Sequence, residues 1–390
     1  MNKNIIYFDN AATSWPKPKK VIEQMEYYLN EIGGNPGRSG HRMSILASRL
    51  VEDAREAVAK ILNFNDTSRI IFTKNATEAI NICIFGILQP GDHAITSSVE
   101  HNSVMRPLRY LESKGLKLSI VKCDSDGSLD PEDILKEIRP DTKLVVLTHA
   151  SNITGTILPI KEVASFTAER GIPFLIDCAQ TAGAIPTDID IKECENCILA
   201  FTGHKSLFGP TGTGGMCFGE KVKMRPLIFG GTGSSSDHDT QPNILPDKFE
   251  SGTINIMGLA GLKAGIDFLI KEDIKKVREH EKRLVHQFIL GAAKIKGLKI
   301  YGPRDPEKQV GIISFNLSNL DPSKVGLILD KKYSIMSRIG LHCNPNAHKT
   351  IGTFPEGTVR FGFSYFNTLE QICAAMRALQ ELADINNDFN

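Results

Sequence analysis

The most informative stretch of the chain reads Phe201-Thr202-Gly203-His204-Lys205-Ser206-Leu207-Phe208-Gly209-Pro210, and it continues into a glycine-rich turn over 211–215. Because it follows an apolar run, Lys205 lies where open α/β sheets bind ligands, beyond the carboxyl end of a strand. The glycines lack the spacing of a phosphate-binding loop and precede a strand, which disfavours a nucleotide site. Two interpretations of Lys205 remain: a solvated turn residue, or a Schiff-base lysine that loses its proton and reaches a carbonyl carbon.

Short apolar runs alternate with longer amphipathic segments around this stretch, from about residue 69 to residue 217. The apolar runs predict strands at 70–73, 93–97, 117–121, 144–148, 173–176, 198–201 and 215–218. The segments between them predict helices at 75–88, 103–114, 130–138 and 160–170. Such alternation is typical of βαβ crossovers, so we expect an α/β fold built on a large, mostly parallel sheet.

The last third of the chain has a different pattern. It predicts one long helix or two over 257–296, then strands at 298–301, 311–317 and 359–363 and helices at 322–331 and 368–385. This mixture predicts a smaller α+β domain. We therefore expect a large domain over 15–256 and a small one over 257–390, with residues 1–14 packing on the small domain. The stretch 230–246 is interpreted as a long surface loop.

Charge and hydropathy exclude several classes of protein. The 390 residues include 46 Lys and Arg against 45 Asp and Glu, a formal net charge of +1. Neither nucleic acid nor an anionic membrane is therefore expected as the main partner. The most apolar stretch, 79–88, is far shorter than the ~20 residues of a membrane helix, and the N-terminus lacks the apolar run of a signal peptide. We expect a cytoplasmic protein.

The eight cysteines have no repeated spacing. We expect most of them to be buried thiols, as is usual in a reducing compartment. Cys194 and Cys197 form one C-x-x-C pair, but no second pair or nearby histidine pair accompanies it. A zinc site or a redox centre is therefore disfavoured.

Three further signals lie near the ends of predicted strands. Asp177 ends an apolar run, and it is either an interface ion-pair residue or the carboxylate that keeps the ring nitrogen of pyridoxal phosphate (PLP) protonated. Asn75 followed by Glu78 is typical of a helix N-terminus, whose free N–H groups also bind phosphate. His101 is either a structural histidine or an imidazole that stacks on a planar ring.

Taken together, the motifs resemble the class V aminotransferase group of PLP-dependent enzymes, from residue 7 to the region of Arg360. The motifs that carry the resemblance are Phe72-Thr73-x-x-Ala76-Thr77-Glu78, Glu100-His101, Ser151-Asn152-x-x-Gly155, Asp177-x-x-Gln180 and Gly203-His204-Lys205. The resemblance implies a PLP-dependent transferase of fold type I, with PLP as the cofactor and no metal.

The resemblance also implies a role for each matching residue. Lys205 forms the Schiff base, Asp177 pairs with the ring nitrogen, and His101 stacks on the ring. Thr253 reaches the phosphate of the neighbouring subunit, which implies a homodimer with shared active sites. The implied cofactor-binding residues are Ala76, Thr77, His101, Asn152, Asp177, Gln180, Thr202, His204, Lys205 and Thr253.

The segment Arg338-Ile339-Gly340-Leu341-His342-Cys343 resembles the Arg-x-Gly-x-His-Cys motif of type II cysteine desulfurases and selenocysteine lyases. Cys343 is either an inert small hydrophobe or the nucleophile, and its polar neighbours favour an exposed thiol. As the nucleophile it takes the sulfur of L-cysteine as a persulfide and leaves alanine, while Lys205 moves the α-proton. His342, His101 and Arg338 are candidates for the positive charge or proton acceptor that the thiolate needs.

Arg360 has two interpretations as well. It is either a surface residue at a strand edge or the residue that binds the substrate carboxylate with a forked pair of hydrogen bonds. The resemblance implies the second role, with Asn152 and His342 as further substrate-binding residues.

The sequence therefore predicts a cysteine desulfurase that passes sulfur to a downstream acceptor, as in sulfur metabolism and iron–sulfur cluster assembly. The alternatives are a selenocysteine lyase, a class V aminotransferase or other PLP lyase without a cysteine nucleophile, and a non-enzymatic nucleotide-binding or regulatory α/β protein. Segments 35–41 and 344–354 differ from the better-known desulfurases and are predicted to lie near the site entrance. There Arg38 and His348 are interpreted as loop residues rather than substrate-facing ones, and His41 has no assigned role.

Overall fold

A computed structural model describes residues 5–37, 40–186, 194–233 and 237–387. Its central feature is a seven-stranded sheet with the strand order β2-β8-β7-β6-β5-β3-β4, in which β8 alone is antiparallel to its neighbours. The carboxyl ends of the other six strands therefore lie at one edge. The strands are β2 (Ile70–Thr73), β3 (His93–Ser97), β4 (Lys117–Val121), β5 (Thr142–Thr148), β6 (Phe174–Asp177), β7 (Cys197–Thr202) and β8 (Gly214–Phe218).

All strands of this sheet except the edge strand β4 are almost entirely buried on both faces, which explains their largely apolar sequences. On β5, for example, Leu144 and Val146 belong to one apolar cluster, while Val145 and Leu147 belong to another on the opposite face. Helices supply the covering layers. They are α1 (Lys19–Tyr27), α2 (Arg42–Ile61), α3 (Ala76–Ile87), α4 (Asn102–Glu112), α5 (Pro131–Glu137), α6 (Ile160–Glu169) and α7 (Ile256–Glu272).

The C-terminal part is built on a four-stranded antiparallel sheet with the order β12-β13-β10-β9. Its core includes Phe315 and Phe361, and Phe8 from the N-terminus packs with them. A short strand β1 (Ile6–Tyr7) also pairs in parallel with β11 (Ile335–Met336). The remaining elements are α8 (Ile274–Ala292), β9 (Leu298–Tyr301), β10 (Ile312–Leu317), α9 (Pro322–Tyr333), β12 (Arg338–Gly340), α10 (Pro345–Thr350), β13 (Thr358–Gly362) and α11 (Leu369–Asn387).

The prediction of an α/β fold with a large, mostly parallel sheet is confirmed. Helix α7 begins at the predicted domain boundary, yet it packs against α1 and α2, and its Leu262 and Ile266 are buried in the apolar cluster of the large sheet. This packing favours a boundary between α7 and α8 over one at residue 256, because α7 shares its buried surface with the larger part. The division into two folding units stays a prediction.

The expectation of buried free thiols is wrong for Cys194 and Cys197, because the structure joins these two cysteines in a disulfide at the start of β7. The tight C-x-x-C turn brings their Cα atoms to 5.3 Å, a separation that a disulfide can bridge. Of the other six cysteines, Cys343 is exposed, Cys373 is half-buried and the rest are buried. Within the described residues, no group of three or more metal-binding side chains is present. Nor does any described helix combine the length and apolar character needed to cross a bilayer.

A buried carboxyl group on α8 makes the stability of the fold depend on pH. Glu281 is buried, and its burial raises its pKa to about 8, although Arg278 acts in the opposite direction. The folded protein therefore retains a proton that the unfolded chain releases above its ordinary pKa of 4.5. The protonated side chain of Glu281 stabilises the folded protein fully below pH 4.5, and this contribution is lost as the pH rises through about 8.

We expect Glu281→Gln, which keeps the shape and removes the titration, to be more stable than the wild type at pH 8.5 by on the order of 1–3 kcal/mol. At pH 5 the two proteins should differ by less than about 0.5 kcal/mol, the usual scatter of a near-neutral substitution. Urea unfolding at both pH values measures the difference. If the two proteins differed in unfolding free energy by the same amount at both pH values, Glu281 would be ionised in the folded protein.

Candidate active site

A cavity of about 220 Å³ opens at the carboxyl edge of the large sheet, where the C-terminal part covers it. Its walls combine residues from the strand ends, from the N-terminal segment and from the small sheet. The lining residues are Ala11, Ala12, Asn75, Ala76, Thr77, His101, Ser103, Thr148, Asn152, Asp177, Ala179, Gln180, Thr202, His204, Lys205, Arg338, His342 and Arg360.

Strand ends place most of these side chains. Thr148, Asp177 and Thr202 are the last residues of β5, β6 and β7, and these three strands lie side by side in parallel. The lysine loop follows β7, and the first turn of α3 follows β2. Ligand sites in open α/β sheets form at this edge because loops diverge there and helix N-termini point inward.

Lys205 and Asp177 form the electrostatic centre of the cavity. The protein around Lys205 lowers the pKa of its ammonium group to about 8 through desolvation, and the nearby Asp177 carboxylate acts in the opposite direction. Burial raises the pKa of Asp177, while the N–H of Ala179 donates to its Oδ1 atom (2.9 Å) and favours the charged form. A buried carboxylate of this kind is stabilised by a cationic partner.

The N-terminal segment holds the backbone of the lysine loop. The carbonyl of His204 accepts hydrogen bonds from the N–H of Ser14 (3.0 Å), from Oγ1 of Thr13 (3.1 Å) and from Nζ of Lys17 (2.8 Å). The hydroxyl of Ser14 also donates to the carbonyl of Lys205 (2.7 Å). Several donors thus fix the peptide that precedes Lys205, which limits the directions in which its side chain can point.

The corner of the cavity near α3 offers polar groups that lack partners. Oγ1 of Thr202 and Nδ1 of His204 are buried without a hydrogen-bond partner. Desolvation lowers the pKa of His204 to about 4, so its imidazole is neutral at physiological pH. Together with the N-terminal N–H groups of α3 at Ala76 and Thr77, these atoms make a binding site for an anionic group.

His101 lies at the start of α4 and faces the cavity. Its Nδ1 atom accepts a hydrogen bond from the N–H of Ser103 (3.0 Å), which caps the helix and leaves Nε2 to carry the proton. Desolvation lowers the pKa of His101 to about 4, so the ring is neutral. A neutral, oriented imidazole is suited to stacking on a planar ligand.

Two arginines enter the cavity from the small sheet. Arg338 on β12 and Arg360 on β13 are directly opposite in the antiparallel pair, so their side chains share one face. Arg360 is almost fully buried, donates to Oδ1 of Asp9 (3.1 Å) and to the carbonyl of Asn152 (3.0 Å), and keeps a buried Nε without a partner. Burial lowers its pKa to about 10, which leaves it charged at neutral pH.

Cys343 is exposed beside the cavity rather than in its lining. Nη2 of Arg338 lies 3.6 Å from its Sγ atom, so this predicted candidate for the positive charge contacts the thiol. His342 is buried, its Nε2 contacts Thr358, and burial lowers its pKa well below the ordinary value. A neutral His342 provides no positive charge for the thiol.

Some predicted residues lie elsewhere. Thr253 does not line the cavity, and it lies instead in two other pockets beside Glu250 and Ile254. His348 is fully buried in α10, where its Nδ1 contacts Oγ1 of Thr353 (2.7 Å), so its interpretation as a loop residue is wrong. The ring of His41 caps α2 through the N–H of Ser44 (3.2 Å). Arg38 lies outside the described residues.

The site also depends on four residues that were not predicted from the sequence: Asp9, Thr13, Ser14 and Lys17. These residues lie in or next to the N-terminal segment that carries part of the family resemblance, so that segment was the available signal. Their roles were not evident because each acts through a backbone or side-chain group far away in sequence; Asp9 and Arg360 are 351 residues apart.

The chain belongs to the class V aminotransferase family, because the family model described as Aminotransferase class-V matches residues 6–374. Several similar proteins are named cysteine desulfurase or probable cysteine desulfurase. A probable cysteine desulfurase of Pyrococcus abyssi is 37% identical over 393 residues, covering 98% of this chain and 95% of that protein. Another, of Methanothermobacter thermautotrophicus, is 35% identical over 385 residues, covering 97% and 94%.

A solved structure supports the same assignment. The apo cysteine desulfurase of Thermococcus onnurineus NA1 matches with a TM-score of 0.91 and 35% identity, covering 97% of this chain and 95% of that one. The family resemblance and the fold predicted from the sequence are thereby confirmed.

Proposed function

We propose that this protein is a PLP-dependent cysteine desulfurase, which converts L-cysteine to L-alanine and carries the sulfur on Cys343 as a persulfide. The proposal rests on one observation. Lys205 and Asp177 line the same cavity, and the exposed thiol of Cys343 lies at its mouth beside Arg338. An aminotransferase needs the first two residues but has no use for the thiol.

The residues of the cavity fit PLP. The orphaned polar atoms of Thr202 and His204 beside the start of α3 suit its phosphate, and the buried Asp177 suits a protonated ring nitrogen. Ala76 and Thr77 would also bind the phosphate, and His101 would face the PLP ring. Asn152 and Gln180 would lie near the ring hydroxyl. Lys205, which desolvation keeps partly as a free amine near neutral pH, would provide the covalent attachment.

Three residues of the chain have separate roles in the reaction. When bound, PLP supplies an electron sink that stabilises negative charge at the substrate Cα. Arg360 binds the substrate carboxylate, and the amine of Lys205 accepts the proton from Cα. The Cys343 thiolate attacks the substrate sulfur, so that an S–S bond forms as the C–S bond breaks. The bonding pair stays with the carbon fragment, which takes up protons to become alanine.

Arg360→Lys tests the carboxylate site. A lysine keeps the charge but loses the forked donor pair, so we expect the KM for L-cysteine to rise about 10- to 100-fold, with kcat changed only a few-fold. Initial rates of alanine formation measure both constants. Arg170→Lys, on the exposed end of α6, is the matched control. An unchanged KM would mean that Arg360 serves only to join Asp9 and Asn152.

The proposed function itself is tested with the purified holoenzyme, L-cysteine and a dithiol reductant. We expect alanine and sulfide in equal amounts, without any 2-oxo acid. A requirement for a 2-oxo acid would identify an aminotransferase instead. Turnover of L-selenocysteine by Cys343→Ala at the wild-type rate, with no turnover of L-cysteine by the wild type, would identify a selenocysteine lyase.

The proposal extends to a homodimer in the cytoplasm and to a thiol-bearing sulfur acceptor. Thr253 lies at the surface, and the preceding loop exposes Phe229 and Ile244, which suits contact with a second copy of the chain. The exposure of Cys343 leaves its persulfide accessible to an acceptor. Sedimentation equilibrium of the holoenzyme tests the dimer, which a monomeric mass would contradict.

A further inference from the structure

The turn that carries Cys343 has an unfavourable backbone conformation. His342 and Cys343 have φ angles of 48° and 59°, so two consecutive residues with side chains adopt the left-handed region. Such a conformation persists only where the surrounding contacts determine it. The contacts that hold this turn therefore bear on where the thiol points.

Two hydrogen bonds hold the peptide groups on either side of the thiol. Nδ2 of Asn152 donates to the carbonyl of His342 (2.9 Å), and the N–H of Asn102, at the start of α4, donates to the carbonyl of Cys343 (3.0 Å). The N–H of Asn344 closes the turn by donating to the carbonyl of Leu341 (2.9 Å).

The side chain of Asn344 connects this turn to the large sheet. It is fully buried, and its Nδ2 donates both to the carbonyl of Val99 (2.8 Å) and to Oδ1 of Asn152 (3.0 Å). Its Oδ1 accepts from the N–H of Ala347 (3.1 Å) and caps α10. Both amide hydrogens and the amide oxygen are therefore used.

Asn152 continues the connection to the substrate site, because its carbonyl accepts a hydrogen bond from Nη1 of Arg360 (3.0 Å). We propose that Asn344 is a positioning residue, which holds the Cys343 turn in register with Asn152 and Arg360. The thiol then meets the substrate sulfur while the substrate carboxylate is bound. This inference rests on the proposed desulfurase function and adds a residue to it.

Two substitutions distinguish the positioning role of Asn344 from its role as the N-cap of α10. Asn344→Ala removes all three hydrogen bonds. Asn344→Asp keeps an oxygen that caps α10 but turns the second oxygen toward the carbonyl of Val99 and Oδ1 of Asn152, so both donor bonds are lost. Asn346→Ala, a half-buried position on the same helix, is the matched control.

The test measures two reactions of each holoenzyme with L-cysteine in heavy water. Exchange of the α-hydrogen needs Lys205 but not the thiol, whereas alanine formation needs both. We expect both Asn344 variants to retain α-hydrogen exchange and the KM within about threefold, and to lose about 10- to 100-fold in alanine formation, since misplacement by an ångström has effects of this size. Asn346→Ala should match the wild type.

Three outcomes would overturn the positioning role: alanine formation within twofold of the wild type in both variants, a parallel fall of exchange and alanine formation, or a wild-type rate for Asn344→Asp alone. Amide hydrogen exchange of the segment 338–350, measured without substrate, provides an independent readout. Faster exchange there in both variants, with unchanged exchange in β2, supports the role even if the wild type forms no alanine; unchanged exchange in the segment contradicts it. Amide hydrogen exchange therefore tests the positioning role of Asn344 even if the protein is not a cysteine desulfurase.

Discussion

Lys205→Ala is expected to lower alanine formation from L-cysteine by at least about 10³-fold, because the variant loses both the nucleophilic amine and the base that takes the α-proton. The protein should still fold, since Lys205 faces the cavity and its loop is held through backbone groups of His204 and Lys205 by the N-terminal segment. The measurement combines the initial rate with the absorption spectrum of the protein reconstituted with PLP.

The spectrum distinguishes a covalent role from a purely electrostatic one. The wild type should be yellow and should be bleached by borohydride with the cofactor fixed to the peptide that contains Lys205. Lys205→Arg keeps a positive charge beside Asp177 but should form no such adduct, and Lys221→Ala, an exposed lysine paired with Glu195, serves as the control. An adduct on another lysine, or full activity of Lys205→Arg, would contradict the assignment.

Cys343→Ala is expected to lower sulfide and alanine formation from L-cysteine by about 10²- to 10³-fold, the effect of removing a nucleophile from an otherwise complete site. Cofactor binding should be unchanged, because Cys343 lies outside the cavity lining. Rates of alanine formation with saturating L-cysteine measure the loss, and α-hydrogen exchange in heavy water shows whether Lys205 still acts.

Cys373→Ala on α11 is the matched control, since Cys373 is the other free cysteine among the described residues that is not fully buried. If Cys343→Ala retained the wild-type rate with L-cysteine, Cys343 would not be the sulfur acceptor. Arg338→Ala provides a second check, because loss of the cation 3.6 Å from the thiol should slow sulfur transfer without preventing cofactor binding.

Most of the large sheet was predictable from the sequence because all its strands except the edge strand β4 are almost entirely buried. Such strands have mainly apolar sequences, and the predicted strand at 198–201 corresponds to β7 (Cys197–Thr202). The residues after these runs, such as Lys205 and Asp177, were predictable for the same reason: parallel strands bring their carboxyl ends to one edge.

Other features carry no comparable signal in the sequence. The carbonyl of His204 accepts hydrogen bonds from residues near the N-terminus, and a backbone acceptor looks the same in any sequence. The buried amide of Asn344 reads as an ordinary polar residue after Cys343, and its partners Val99 and Asn152 are distant in the chain. Helix α7 was assigned to the small part because its sequence adjoins that part, whereas its buried face belongs to the large one.

Transfer of the sulfur of L-cysteine to Cys343 is best tested by peptide mass spectrometry of the holoenzyme. The holoenzyme is mixed with L-cysteine without reductant, the reaction is stopped after one turnover, and exposed thiols are alkylated before digestion. We expect the peptide containing Cys343 to gain one sulfur atom in an amount equal to the alanine formed. Alanine without added sulfur on Cys343, or with that sulfur on Cys373, would contradict it.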